Sequence, residues 1–214
     1  TKAAAALILA GVPAILFVGS YYFDVKNYYL MALLVMLACM LPFFMVFEGR
    51  KPQARELTII AVLCALGVAA RAAFFMLPQF KPVVALTIIS GVTMLASNFL
   101  FSQGPWTPFQ MFAAGIIGFL AGVLFRKGWL RRSRAALCSY GAIAAIVLYG
   151  GLMNPVAALL SSRELSWQVL MSYYITGFPV DCVHAAATVF FLWVLAEPML
   201  EKLDRIKTKY GLVE

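Results

Sequence analysis

Long apolar runs broken by short polar knots constrain this chain more than any other feature. The runs cover residues 4–22, 28–47, 56–76, 81–102, 107–125, 134–153 and 178–199. Most approach the roughly 20 apolar residues that a helix needs to cross the hydrocarbon of a bilayer. Of the 214 residues, 64% are hydrophobic and only 12% charged, whereas soluble domains carry about a quarter charged residues. The sequence therefore predicts an all-α, polytopic transmembrane helical bundle in the cell membrane. Pro13 and Pro42 fall inside the first two runs, which membrane helices tolerate. Residues 163–177 form an amphipathic stretch ending at Gly177. It is expected at the outer interface, packed against the bundle, with Trp167, Tyr173 and Tyr174 as interfacial aromatics. The first run lacks a clear small-residue cleavage site and reads as a retained helix.

Net charge is +8, but the placement of that charge matters more than its size. One knot holds Arg50, Lys51 and Arg55, a second Arg126, Lys127, Arg131, Arg132 and Arg134, and a third Lys202, Arg205, Lys207 and Lys209. A nucleic-acid binder would carry a basic stripe on a soluble surface; knots between apolar runs read instead as cytoplasmic loops. Placing all three knots on one side leaves 81–102 beginning and ending outside. Two crossings would need about 40 apolar residues. Either this stretch is a re-entrant hairpin, or a cytoplasmic loop with its flanking helix ends is missing near Val92–Thr93. The second is favoured, because two crossings put 13 of the 17 Lys and Arg inside. Both termini are then cytoplasmic. Residues 1–50 read as an N-terminal transmembrane hairpin and 51–214 as the core.

Several polar residues stand out against this background. Ala61, Ala65, Ala69 and Ala73 recur every four residues, a small face that lets another helix approach closely. It fits either packing within the bundle or docking on a separate membrane subunit. Ala114, Gly118 and Gly122 form a second such stripe, expected to pack internally. Arg71, near the outer end of its run, is either a functional charge or a side chain snorkelling to the interface. Two short proline-flanked loops face outward in this topology: one carries Gln79 and Lys81, the other Gln103, Trp106, Thr107 and Gln110. Trp106 fits an interfacial anchor, and polar groups at one mouth of a bundle also fit a small-molecule pocket. Asp181 and His184 are three apart and share a helix face. They either satisfy each other or contact a ligand or proton. No metal site is implied, since His184 is the only histidine and HExxH is absent. Cys39, Cys64, Cys138 and Cys182 lie inside apolar runs with no CxxC, as small buried hydrophobes. No nucleotide-binding loop or nucleophile motif appears, so ATP-driven work would need a partner.

From about residue 56 onward the chain resembles the substrate-binding membrane subunit, the S component, of energy-coupling-factor (ECF) vitamin importers. The resemblance rests on the Ala61/Ala65/Ala69 stripe, on FFMLPQFKPV, on SNFLFSQGPWTPFQMFAAGIIGFLAG, and on FPVDCVHAAATVFF followed by EPMLEKLDRIKTKYGLVE. It implies a six-helix core, here preceded by the N-terminal hairpin, with a loop between the second and third core helices. It implies three partners in the membrane complex, a coupling transmembrane subunit and two cytoplasmic ATP-binding subunits, and no enzymatic activity or cofactor of the chain's own. Ala61, Ala65 and Ala69 would dock on the coupling subunit, and the body would topple in the lipid bilayer to deliver its substrate. The chain looks most similar to cobalamin-type members. Trp106, Gln79, Gln103, Gln110 and Asn98 could supply the aromatic and amide groups a corrinoid needs. Another vitamin, or a precursor such as queuosine, is an alternative substrate. An intramembrane enzyme using Asp181 and His184 as an acid/base pair is the alternative activity.

Overall fold

A computed structural model of the chain describes residues 6–22, 54–74, 76–77, 80, 82, 84–85, 104–161 and 166–210, with isolated positions at 30, 34, 37–38 and 41. Helix α1 spans Val12–Tyr22 and follows a π-helical turn, Leu7–Gly11. Helix α2 spans Ala54–Ala73 and α3 Thr107–Arg126. Helix α4, Arg134–Ile143, runs through a π-helical segment, Ala144–Gly150, into α5, Gly151–Ser161. Helix α6 spans Trp167–Tyr210. No strand occurs among the described residues. Among the described residues, three helical rods are long and apolar enough to cross a membrane: Thr107–Arg126, Arg134–Ser161 and Trp167–Ile206. Most of the runs 28–47 and 81–102, and the break expected at Val92–Thr93, lie outside the described residues, and with them part of the expected six-helix core.

Helix α3 has 20 residues, about 30 Å at 1.5 Å per residue, which matches the hydrocarbon of a typical bilayer. Proline in its first turn is harmless, because the missing N–H would have no helical acceptor there. Its other end closes on Gly128, whose φ of 72° is open to glycine at little cost. The amides of Trp129 and Leu130 both donate to the Leu124 carbonyl, at 3.0 and 3.2 Å. That turn buries Leu130 and leaves Trp129 exposed.

The α4–α5 rod and α6 form an antiparallel hairpin, visible in the order of their contacts. Arg134 pairs with Glu197 at one end. The Cys138 thiol meets the Val189 carbonyl next, then the Tyr149 ring meets His184. Asn154 donates to Asp181 further along. One face of α3 packs on this hairpin: Ala113, Ala114, Ile117 and Ala121 share a core with Leu137, Ala144, Tyr149, Ala187 and Leu192. Ala114 and Gly118 of the second stripe are buried, and Gly122 is exposed. A second cluster joins Val12 and Leu16 of α1 to Phe109, Phe112 and Val156.

Two boundaries differ from the sequence expectation. The rod drawn as 134–153 continues to Ser161, and the stretch drawn as a separate interfacial segment is the start of α6. One hydrogen bond accounts for much of this. Pro155 has no N–H, so it leaves the Gly151 carbonyl without its helical donor. The Tyr174 hydroxyl donates to that carbonyl at 2.9 Å. Tyr174 thus repairs the proline's gap and fastens the amphipathic stretch against α5, extending the hairpin past Gly177.

Candidate binding site at the end opposite the basic turn

The α3–α4 turn gathers Arg126, Lys127, Arg131, Arg132 and Arg134 and marks one end of the bundle as basic. Gln110 and Asp181 lie about 24 Å from that end along their helices, and Tyr149 about 22 Å. These residues therefore share one level near the far end. They are brought there by three different elements, α3, the π-helical segment and α6.

The side chains meet. The Gln110 amide donates to the Tyr149 hydroxyl at 3.0 Å. The Tyr149 ring stands edge-on to His184, with centroids 4.7 Å apart at 90°. Tyr149 and His184 are both buried. Arg71, half-buried at the end of α2, and Asp181 both lie within electrostatic reach of the Tyr149 hydroxyl. The Asn154 amide donates to Asp181 Oδ2 at 2.8 Å. Thr188 returns its hydroxyl proton to the His184 carbonyl at 2.8 Å, so it is satisfied within its own helix.

Backbone geometry makes this assembly possible. A methyl group on Gly150 would run into the Asp181 carboxylate, and one on Gly177 into the Asn154 amide. The two rods therefore approach through glycine at both positions. The π-helical segment ends at Tyr149 and Gly150, where its wider turn reaches the polar cluster. Such segments are frequent at functional sites.

Of the residues singled out in the sequence, Arg71, Gln110, Asp181 and His184 come together. Thr107 does not join them: it is buried, and its hydroxyl accepts the Gly104 amide at 2.9 Å. Trp106 is 46% exposed and folds its ring over Gly104. Gln79, Lys81, Asn98 and Gln103 lie outside the described residues. Tyr149 and Asn154 complete the cluster and were not singled out. The Gly150–Gly151 pair and the Asn154–Pro155 pair, both interrupting an apolar run, mark the neighbourhood of these residues without identifying their roles. Ala61, Ala65 and Ala69 are exposed on α2, whereas Gly67 is buried.

The cluster combines a cation, a carboxylate, two amides, an imidazole and a phenol. Gln110 occupies an acceptor position on the Tyr149 oxygen and leaves its proton available to donate. The site can therefore offer both donors and acceptors to a small molecule. No three His, Cys, Asp or Glu side chains gather into a metal-binding group among the described residues. Recesses occur at the basic end, between α4 and α6 and along the end of α6. They are lined by charged side chains such as Arg132, Glu201 and Asp204 and are remote from this cluster.

Compared with known protein families, curated proteins and solved structures, the chain matches none.

Proposed function

We propose that this chain is a membrane-embedded substrate-binding subunit of an ECF-type importer. It captures a vitamin, cobalamin or a related corrinoid, at the outer face for uptake driven by ATP-hydrolysing partners. The observation that carries this reading is the meeting of Arg71, Gln110, Tyr149, Asp181 and His184 at the end opposite the basic turn. Ionisable groups at membrane depth are expensive to place there and ordinarily serve a ligand or ion. The basic turn belongs in the cytoplasm under the positive-inside rule, which puts the cluster near the outer face of a multi-pass protein with both termini inside.

Two further observations support the reading. The segments GPWTPFQ and FPVDCVHA, which resemble S components, supply Gln110, Asp181 and His184. The small face of Ala61, Ala65 and Ala69 is exposed, as docking on a coupling subunit requires. The two ATP-binding subunits complete the proposed complex. The chain itself contributes binding and no chemistry.

The test is ligand binding by the purified, detergent-solubilised chain, screened against vitamins including cobalamin and against queuosine. Saturable binding without ATP is expected, weakened about fivefold or more by Gln110→Ala, since leaving a polar partner unsatisfied costs about 1–3 kcal/mol. A folded chain that binds nothing on the panel overturns the vitamin reading. Turnover of a substrate, abolished by His184→Ala, would replace it with the acid/base enzyme.

A further inference from the structure

We propose that the turn between α3 and α4 is a binding site for the headgroup of an anionic phospholipid in the leaflet at the basic end. Its five cations are not equivalent. Arg132 is neutralised by Asp204 at 2.8 Å and Arg134 by Glu197. Arg126, Lys127 and Arg131 have no carboxylate partner among the described residues. Three positive charges are thus left together, Arg126 at the end of α3 and Lys127 and Arg131 on the seven-residue turn that follows it.

Geometry holds these charges at the headgroup level. Helix α3 spans about 30 Å, the thickness of the hydrocarbon, and ends at Arg126. The left-handed Gly128 turns the chain so that Leu130 enters the core while Trp129 is 73% exposed. The Lys127 ammonium lies 4.8 Å from the centre of the Trp129 ring. Across the turn, the Arg134 guanidinium lies 5.9 Å from that of Trp193, itself exposed. An indole flanked by cations suits the boundary between acyl chains and phosphate. The ring lies against the glycerol region and the charges face the phosphate.

An acidic protein partner is the competing occupant. The turn favours lipid because it is short and exposes one large apolar side chain. A specific protein interface needs about 800 Å² on each partner.

The experiment uses the full chain with Trp106, Trp167 and Trp193 replaced by Phe, reconstituted in phosphatidylcholine. Brominated phosphatidylglycerol and brominated phosphatidylcholine are then compared as quenchers of Trp129 fluorescence. Each cation beside an anionic surface contributes roughly a fivefold factor. A preference for phosphatidylglycerol of at least about tenfold is therefore expected. Arg126→Gln, Lys127→Gln and Arg131→Gln together should abolish it. The equally charge-reducing set Lys202→Gln, Arg205→Gln and Lys209→Gln should keep it. If the first set does not fold, Arg131→Gln alone should lower the preference about fivefold. Equal quenching by the two lipids overturns the site. So does equal loss in both variant sets, which would mean diffuse attraction. Full competition by inorganic phosphate would make it a site for free anions. Retention of the lipid preference in the first set, with loss of co-purifying ATP-binding protein, would make the turn a protein-docking surface.

Discussion

Gly150 and Gly151 are adjacent yet face opposite demands. A β-carbon at Gly150 collides with the Asp181 carboxylate, whereas at Gly151 it meets nothing within 4 Å. Gly150→Ala should therefore destabilise the folded protein by about 1–3 kcal/mol, the range for forcing volume into a packed site. Gly151→Ala should be neutral or stabilising by up to about 1 kcal/mol, because it removes freedom from the unfolded chain. Thermal unfolding in detergent compares the two directly. Equal effects would mean that Asp181 is not held against Gly150. The same residue scale shows what could be read beforehand. Asp181 and His184 announced themselves as ionisable groups in an apolar run. Tyr149 did not, because a tyrosine in such a run is equally at home as an apolar ring, and only its contacts with Gln110 and His184 reveal the hydroxyl's role. Asn154 lay just beyond the end drawn for its span.

Helix α3 was legible almost to the residue, since prolines flank its start and a charged, glycine-containing turn stops it. The hairpin was not. Its length depends on the Tyr174 hydroxyl reaching the Gly151 carbonyl, a contact between residues far apart in sequence that periodicity cannot register. The π-helical segment Ala144–Gly150 is short, and its altered period is hidden in a run where every position is apolar. Helix α2 presents Ala61, Ala65 and Ala69 outward, next to exposed Val62 and Leu66. A protein partner offers such a face no hydrophobic gain over lipid tails, so association there depends on close backbone approach. Under the proposed function, Ala65→Trp should abolish co-purification with the proposed coupling and ATP-binding subunits while leaving affinity for the proposed vitamin within about twofold, since small-to-large changes act where surfaces must meet. Measuring both on one preparation decides the matter. Equal loss of both would place the stripe inside the bundle.

Across the whole molecule, charge and length organise the chain separately. Charge collects at the α3–α4 turn, while the polar cluster lies at the far level of the bundle. Length does not match between the rods. Helix α3 fits the hydrocarbon, but the α4–α5 rod has 28 residues, about 42 Å of helix. With Arg134 beside Glu197 at the basic end, the surplus must emerge at the other, where Leu159 is 37% and Ile175 72% exposed. A bilayer of one thickness therefore cannot match both rods while they stand upright. Either the bilayer swells by up to about 12 Å beside the hairpin, or the hairpin leans, each at a fraction of a kcal/mol per Å of mismatch. Lengthening the acyl chains of the host lipid relieves one side and strains the other, so sensitivity to bilayer thickness is built into the unequal lengths of neighbouring helices.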